Sequence, residues 1–385
     1  MHLSNFLNNT YTLALLVVLG VATLVLCIYY GIVFLRVALY KNSKIPQPDE
    51  LSESDLPSVS VVIVAHNEAE FLKESLPYLL EQDYPNFEIV VVDYTSHDDT
   101  QFVLRVCSDN YPNLKVVNFP EDVNMFQGKK YPLSIGIKSA TKDVVLLTEP
   151  DSVPKDFSWI KEMMCGYMRG ASMVMGYSSL SNTSGLLGAL EQYDNMTYNA
   201  SYLGMAIMGH PYTGTGRNLS YRRDFFFDRG GFISHYSIPD GADDLFVNKN
   251  ANGTNTAVVI RPGASVVTKP RPTFAQWRLE RMHRNATRRY YGVFDKLLLS
   301  IYPLSQVAFW AVLALLFFWR HFPWQILLGV LVLKIVWQTL CTVKLAKRFK
   351  IKKIQFFAPF FELYFLLANT ILHILTLRKK NMKWR

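Results

Sequence analysis

A chain of 385 residues of which half are hydrophobic carries more apolar sequence than is usual for a purely soluble protein. The formal net charge of +9 would fit a nucleic-acid partner. The basic residues lie beside the longest apolar runs, however, where attraction to anionic lipid head groups explains them, and no nucleic-acid motif is present. Composition therefore favours a membrane protein and argues against nucleic-acid binding.

Four apolar runs are candidates for membrane helices, because about 20 helical residues cross a bilayer. They are residues 11–39, 297–319, 324–343 and 354–377. The first run has no basic segment before it and no evident small-residue cleavage site. These features favour a retained anchor over a signal peptide.

The positions of these runs predict three regions. Residues 1–45 form an N-terminal anchor and its juxtamembrane segment, and residues 46–292 form one soluble domain of ordinary size. Residues 293–385 form about three C-terminal transmembrane or interfacial helices and a basic tail. The protein is therefore predicted to be a multi-pass protein of the cell membrane, with membrane lipids as partners.

Lysine and arginine near the first run predict that the soluble domain is cytoplasmic. Residues 1–10 contain neither, whereas Arg36, Lys41 and Lys44 follow the apolar core.

The orientation of the last run stays open on the same criterion. The basic segments 344–353 and 378–385 both favour the cytoplasm, which they cannot both reach if residues 354–377 span the bilayer. Pro359 and Glu362 permit a re-entrant or interfacial segment instead.

Within the soluble domain, three aliphatic runs are each followed at once by acidic residues. They are Val59–Ala65 before His66 and Glu68, residues 89–92 before Asp93, and residues 144–147 before Glu149-Pro150-Asp151. Such runs, separated by helix-length segments, are typical of buried parallel strands in an α/β sheet. Ligands of these sheets bind at the carboxyl ends of the strands, so we expect the acidic residues to converge on one site.

Glu149-Pro150-Asp151 is the strongest candidate for metal chemistry. The proline stiffens the bend between two carboxylates, and adjacent like charges are unfavourable unless a cation offsets them. Mg²⁺ or Mn²⁺ bound to a diphosphate would supply that charge. The alternative is a solvated turn; Asp93 and Glu68 likewise have ordinary explanations, in a turn and in the first turn of a helix.

Asp243-Asp244 pairs two further carboxylates at the predicted start of a helix. They either cap that helix or supply a general base whose pKa is raised by its neighbour. Gly216 and Arg217 lie in a glycine-containing segment where the backbone can approach a ligand closely, and both are candidates for binding the acceptor or a phosphate. Lys129 follows another glycine.

Residues 276–289 concentrate arginines just before the second apolar run. They form either a basic amphipathic helix at the bilayer surface or a phosphate-binding surface that includes Arg281 and Arg284, and the two interpretations are compatible.

In this order, these residues resemble the membrane-bound family 2 glycosyltransferases, whose catalytic domain has the GT-A fold. The resemblance covers roughly Pro57 to Tyr291 and the flanking apolar runs. It implies that His66, Glu68, Asp93 and Lys129 lie at the nucleotide-sugar donor, that Glu149 and Asp151 form the DxD metal motif, and that Asp243-Asp244 is the catalytic pair with Asp244 as base. The implied reaction is an inverting transfer from a nucleoside diphosphate sugar, expected to be UDP-linked, to a lipid or lipid-linked acceptor.

The sequence departs from this family at one motif. Processive members carry QxxRW before the membrane, whereas residues 280–284 read Glu-Arg-Met-His-Arg. The departure favours transfer of a single sugar. A processive polysaccharide synthase of the same fold, or a membrane scaffold with an inactive site, remains an alternative.

Overall fold

The computed structural model describes residues 10–119, 128–181, 183–319, 323–351 and 354–378. This part of the chain divides into two compact units. The helical unit consists of residues 10–39 and Gly292–Leu375, and the α/β unit consists of Tyr40–Tyr291 together with residues 376–378.

The described helices and strands follow one another along the whole chain. The helices are α1 Thr10–Tyr29, α2 Leu35–Leu39, α3 Ala69–Leu80, α4 Thr100–Asn110, α5 Lys130–Ser139, α6 Trp159–Met164, α7 Gly185–Ile207, α8 Arg223–Asp228, α9 Asp243–Asn250, α10 Phe274–Ala286, α11 Val293–Phe318, α12 Trp324–Arg348 and α13 Ala358–Arg378. The strands are β1 Val59–Ala65, β2 Phe87–Asp93, β3 Leu114–Asn118, β4 Val144–Leu147, β5 Ser152–Pro154, β6 Met173–Met175, β7 Ser178–Leu180, β8 Leu219–Arg222, β9 Thr256–Val258 and β10 Val266–Thr268. A π-helical turn, Tyr30–Phe34, joins α1 to α2.

A seven-stranded sheet in the order β3-β2-β1-β4-β8-β6-β9 forms the centre of the α/β unit. The first four strands are parallel, and β8 runs antiparallel to both of its neighbours. All seven residues of β1 are buried, as expected for a continuous aliphatic strand covered on both faces. The predicted α/β fold with a mostly parallel central sheet flanked by helices is therefore confirmed.

The register of the parallel strands places their carboxyl ends side by side. Ala65 lies opposite Asp93, and Asp93 lies opposite Asn118 on the next strand. On the other side of β1, Val62 pairs with Leu147, the last residue of β4. The polar residues that follow β1, β2 and β4 consequently lie along one edge of the sheet.

Helix α5 packs closely on this sheet through a glycine. A Cβ atom on Gly136 would lie 2.6 Å from a methyl carbon of Val62 and 2.9 Å from one of Val92. Any side chain there would therefore push the helix away from the sheet. The close contact brings the N-terminus of α5, preceded by Lys129, toward the carboxyl edge of the strands.

A small second sheet in the order β5-β10-β7 was not predicted. Its strands have three residues each, too few for a period-two pattern to be recognised. Its consequence is local: β5 begins directly after Asp151 and pairs antiparallel with β10, and the Lys269 N–H donates to the Asp151 carbonyl at 3.2 Å. This pairing fixes the backbone on both sides of the acidic motif.

In the helical unit, three helices are long and apolar enough to cross a membrane: Thr10–Leu39, Val293–Phe318 and Trp324–Arg348. Ala358–Leu372 is apolar but shorter. One N-terminal candidate and two C-terminal ones therefore satisfy the criterion within the described residues, fewer than the three or so that were predicted at the C-terminal end.

Candidate active site

Two loops at the carboxyl edge of the sheet hold each other in place. The Asn67 backbone N–H donates to the Ser96 hydroxyl at 2.9 Å, and the Asn67 side-chain oxygen accepts from the His97 N–H at 2.8 Å. Asn67 has a φ of 56°, a left-handed conformation that asparagine tolerates well. His66 Nδ1 donates to the Tyr94 carbonyl at 2.5 Å, so the predicted donor-side histidine is fixed between the two loops.

Asp93 ends β2 as predicted, with 1% of its surface exposed. Its Oδ1 atom is buried and has no hydrogen-bond partner among the described residues. Because leaving a buried carboxylate oxygen unpaired is unfavourable, such an atom is a candidate for contact with a bound ligand.

The Glu149 and Asp151 carboxylates lie among three cationic side chains. Lys129 Nζ is 2.9 Å from Glu149 Oε1, and Arg217 Nε is 3.5 Å from Glu149 Oε2. On the other carboxylate, Arg271 NH1 is 3.1 Å from Asp151 Oδ2. The acidic motif and the surrounding cations thus form one partly buried charged cluster.

A third carboxylate, that of Glu280 on α10, joins the two arginines. Its Oε1 is 2.9 Å from Arg217 NH2, and its Oε2 is 2.5 Å from Arg271 Nε. Glu280 therefore contacts both guanidinium groups, each of which also contacts one carboxylate of the acidic motif.

The acidic motif has the donor chemistry of a Mg²⁺ or Mn²⁺ site. Burial, together with the charges of Asp151 and Glu149, raises the pKa of Glu68 to about 7, so negative charge is concentrated here despite the arginines. Burial likewise raises the pKa of Asp151. In the described ranges no three His, Cys, Asp or Glu side chains are arranged as a metal site. A divalent cation at Asp151 and Glu149 would therefore take its other ligands from substrate phosphate and water, as Mg²⁺ commonly does.

Asp243 and Asp244 occupy the first turn of α9, where the helix dipole favours negative charge. Asp243 Oδ2 accepts the Gly216 N–H at 2.8 Å, and Asp243 Oδ1 is buried without a hydrogen-bond partner among the described residues. Its pKa is raised by burial, which the positive charge of Lys129 opposes.

Asp244 is held by hydroxyl groups rather than by cations. Its Oδ2 accepts from the Thr287 hydroxyl and lies 3.3 Å from the Tyr291 hydroxyl, while its Oδ1 accepts the Leu245 N–H at 2.8 Å. Burial raises the pKa of Asp244 to about 6, with the hydrogen bond from Thr287 opposing the shift and the charge of Asp243 adding to it. This carboxylate can accept a proton near neutral pH.

Gly216, in the segment before β8, lies directly against the Asp243 carboxylate. A Cβ atom on Gly216 would lie 2.3 Å from Asp243 Oδ2. The glycine pattern in the sequence thus corresponds to a close approach of backbone to carboxylate, and the next residue, Arg217, enters the charged cluster.

Arg281 and Arg284 lie on α10 and are already paired with protein groups. Arg281 Nε is 3.3 Å from Asp194 Oδ1, and Arg284 NH2 is 2.5 Å from Asp194 Oδ2. Arg284 also lies 4.2 Å from the centre of the Tyr198 ring, and Arg281 lies 5.0 Å from that of Trp277. An anionic ligand at either arginine would compete with Asp194.

Several residues of the site were not predicted from the sequence. Arg271 follows a proline and precedes another, and nothing in that pattern marks a charged cluster. In the sequence, Glu280 marks only a departure from the QxxRW motif. Thr287 and Tyr291 could not be predicted, because the spacing of residues along the chain does not show which hydroxyl groups will lie near a carboxylate. Asp194 lies in a helix whose polar residues face inward, which only the packing of α7 reveals.

Comparison with known proteins defines the class of this domain. Residues 60–226 match the family described as glycosyl transferase family 2. Glycosyltransferase AglE of Haloferax volcanii is 29% identical over 185 residues, which cover 47% of this chain and 58% of that protein. The poly-beta-1,6-N-acetyl-D-glucosamine synthase of Staphylococcus epidermidis is 28% identical over 136 residues, which cover 34% of this chain and 31% of that protein. The chain thus spans less than two thirds of the length of these relatives.

Among solved structures, the mannosyltransferase PcManGT of Pyrobaculum calidifontis, in complex with GDP-Man and Mn²⁺, superposes with a TM-score of 0.60 at 20% identity. The superposition covers 94% of this chain and 97% of that one. At this identity the likeness concerns the fold alone.

The fold and the arrangement of strands define a GT-A domain. More particularly, the chain contains a family 2 glycosyltransferase domain, so the family predicted from the sequence is confirmed.

Proposed function

We propose that this protein is an inverting glycosyltransferase that moves a sugar from a nucleoside diphosphate sugar to a lipid or lipid-linked acceptor. The observation that carries the proposal is the charged cluster at the carboxyl edge of the sheet, where Glu149 and Asp151 meet Lys129 and Arg217. Alternating carboxylates and cations suit a diphosphate that arrives with a divalent metal ion.

The donor end of the site is formed by residues that follow β1 and β2. One buried oxygen of Asp93 has no hydrogen-bond partner among the described residues and is offered to the nucleoside, and His66 and Glu68 lie on the neighbouring loop. We expect a UDP-linked donor, as the resemblance implies. Because one structural neighbour was solved with GDP-Man, donors with uracil and donors with guanine should both be tested.

The chemical step follows from the acid–base properties of the catalytic pair. The oxygen of an acceptor hydroxyl attacks the anomeric carbon from the face opposite the diphosphate, and the bond from that carbon to the diphosphate oxygen breaks. Asp244 takes the proton from the hydroxyl, since its raised pKa suits a base near neutral pH. Asp243, held by the Gly216 N–H, adds negative charge beside the base.

The metal ion would be held by Asp151 together with Glu149, and when bound it would offset the charge of the departing diphosphate. Lys129, Arg217 and Arg271 contribute further positive charge at the same place. Whether the ion is Mg²⁺ or Mn²⁺ is decided by measurement of the metal requirement.

We place the acceptor among lipids because three long apolar helices are compatible with membrane association. The soluble domain would face the cytoplasm, as the lysine and arginine distribution predicts. Arg281 and Arg284 remain candidates for acceptor phosphate, in competition with Asp194.

A screen of the full-length protein in detergent tests this function. Release of nucleoside diphosphate is measured with several UDP- and GDP-sugars, a membrane lipid extract as acceptor, and Mn²⁺ or EDTA. We expect release with one donor class only, dependent on both metal and lipid. Asp151→Asn should lower that release about a hundredfold or more while the protein stays folded, because the cation supplies several kcal/mol of charge stabilisation. Metal-independent release, or full activity in this variant, would remove the role given to Asp151.

A processive polysaccharide synthase is the second candidate, and the matched poly-beta-1,6-N-acetyl-D-glucosamine synthase favours it. The sequence Glu-Arg-Met-His-Arg at residues 280–284 in place of QxxRW argues for a single transfer. Radiolabelled product that migrates as a polymer would decide for the synthase, and one discrete lipid species would decide for single transfer.

An inactive membrane scaffold is the third candidate. It predicts that no UDP- or GDP-sugar raises the thermal unfolding midpoint in the presence of Mn²⁺. A shift with any one donor would exclude it.

A further inference from the structure

Glu280 occupies a distinctive position in the charged cluster, because it is paired with both arginines that contact the acidic motif. The contacts run in one series: Glu149 to Arg217, Arg217 to Glu280, Glu280 to Arg271, and Arg271 to Asp151. Each oxygen of the Glu280 carboxylate contacts one guanidinium group.

The charges of the ion-paired side chains in the charged cluster, with Glu280 included, balance. Glu149, Asp151 and Glu280 contribute three negative charges, and Lys129, Arg217 and Arg271 contribute three positive charges. Removing the charge of Glu280 leaves three cations for two carboxylates, and both of these are the candidate metal ligands. The guanidinium groups would then pair more strongly with the acidic motif.

Arg271 and a metal ion would compete for the same carboxylate. Arg271 NH1 lies 3.1 Å from Asp151 Oδ2, and Asp151 is only 7% exposed, so a cation bound there must share or displace the guanidinium. Leaving a partly buried guanidinium without a counter-ion is strongly unfavourable. Glu280 supplies that counter-ion at the Nε atom of Arg271, a different nitrogen from the one that contacts Asp151.

The backbone of Arg271 is fixed, so only its side chain can be redistributed. The Arg271 N–H donates to both oxygens of Glu191, at 2.9 and 3.0 Å, and the residue lies between two prolines. The guanidinium can therefore shift between Asp151, Glu280 and a bound phosphate without movement of the chain.

We propose that Glu280 is a positioning residue that draws Arg217 and Arg271 away from the acidic motif, so that Asp151 can bind the metal ion and the guanidinium groups can bind the donor diphosphate. This inference rests on the proposed function, since it takes Asp151 as a metal ligand. The competing explanation is that Glu280 only fastens α10 to the domain; it predicts a loss of stability without a change in metal affinity.

A double-mutant cycle with Mn²⁺ as the probe separates the two explanations. The full-length chain is compared with Glu280→Gln, Arg271→Gln and the double variant, and bound Mn²⁺ is measured from the electron paramagnetic resonance signal of the free ion. We expect Glu280→Gln to weaken Mn²⁺ binding about tenfold, in line with couplings between contacting charges. The Mn²⁺ affinity of the double variant should recover to within about twofold of that of the unmodified protein, because the competing Arg271 guanidinium is gone.

Glu162→Gln is the matched control. Glu162 is a partly buried carboxylate of the same unit, 2.9 Å from the buried Arg261, and neither residue belongs to the charged cluster. Its substitution removes an equivalent ion pair and should leave Mn²⁺ affinity unchanged. Thermal unfolding of every variant shows which of them have lost stability.

Two results would overturn the inference: unaltered Mn²⁺ binding in Glu280→Gln, or a double variant that binds as weakly as Glu280→Gln alone. Nucleoside diphosphate release is measured on the same preparations. If the unmodified protein releases none while the Mn²⁺ cycle behaves as expected, the proposed function fails and the role of Glu280 stands. If the unmodified protein binds no Mn²⁺, both fail.

Discussion

Both units of the molecule bury oppositely charged side chains, but the two sets differ in how completely they are paired. In the helical unit, Lys334 on α12 forms an ion pair with Glu362 on α13, and their side chains are 1% and 2% exposed. The Gln306 amide donates to Glu362 Oε1 at 2.7 Å, and Lys334 donates to Gln338 Oε1 at 2.8 Å. The charged atoms of this pair are thus satisfied by neighbours in the same unit.

Among the described residues of the α/β unit, part of the buried charge has no such partner. Within the described residues, one oxygen of Asp93 and one of Asp243 have no hydrogen-bond partner. Burial raises the pKa of Asp244 to about 6, and burial with neighbouring carboxylates raises that of Glu68 to about 7. A charge buried between apolar helices is costly unless it is paired, whereas a carboxylate oxygen without a partner is available for a ligand. The comparison therefore favours a structural role for the Lys334–Glu362 pair and supports the proposed ligand-binding role of the carboxylates in the α/β unit.

The largest expected effect is on the chemistry. Asp244→Asn keeps the shape of the side chain but removes the base, so kcat should fall about 10³-fold, the middle of the range for general-base catalysis. Nucleoside diphosphate release gives the rate, and an unchanged unfolding midpoint shows that the fold is retained. A loss of less than about tenfold would assign the base to another group, of which Asp243 is the nearest.

Substituting one member of the buried Lys334–Glu362 ion pair should instead affect the stability of the helical unit. Lys334→Met leaves Glu362 buried without its counter-ion and should lower the free energy of unfolding in detergent by about 3 kcal/mol. The double variant Lys334→Met with Glu362→Leu should recover most of that loss, because neither charge remains. Lys296→Met, at an exposed lysine of the same unit, is the control and should stay within about 0.5 kcal/mol. Equal losses in the single and the double variant would show that the ion pair itself holds the helices.

The pH dependence of the activity should test the role of Asp244 without any substitution. Asp244 accepts a proton only when ionised, and its pKa of about 6 lies above the ordinary value of 3.8. Activity should therefore be constant above about pH 7 and fall tenfold for each unit of pH below about 6, as kcat/KM reports the free enzyme. A profile that stays flat down to pH 5, in protein that remains folded, would contradict the assignment of Asp244.

The smallest effect concerns the hydroxyl groups around the base. Tyr291→Phe removes a hydroxyl 3.3 Å from Asp244 Oδ2, a hydrogen bond that lowers the pKa of the carboxyl group. The midpoint of the pH profile should move upward, and kcat/KM at pH 6 should fall by a few fold, corresponding to about 1 kcal/mol or less. An unchanged midpoint would mean that Tyr291 donates its proton to the Thr213 hydroxyl, 3.2 Å away, and not to Asp244.

The sequence by itself determined the central strands and the acidic residues that end them. Val59–Ala65, residues 89–92 and residues 144–147 were predicted as parallel strands because aliphatic residues covered on both faces leave a continuous apolar run. Asp93, Glu149 and Asp151 could then be placed on one edge, since the direction of parallel strands fixes where their carboxyl ends lie. The candidate membrane helices were evident for a similar reason, because their length and apolarity are properties of the chain itself.

Only the tertiary structure decided which charges meet. Arg217, Arg271 and Glu280 come from three separate segments, and the small sheet that positions Arg271 is built from strands too short to be recognised in the sequence. The same holds for Lys334 and Glu362, which lie 28 positions apart on different helices and become partners through helix packing. Secondary structure follows from local patterns, but the pairing of buried charges depends on distances between segments, and these are fixed only when the chain has folded.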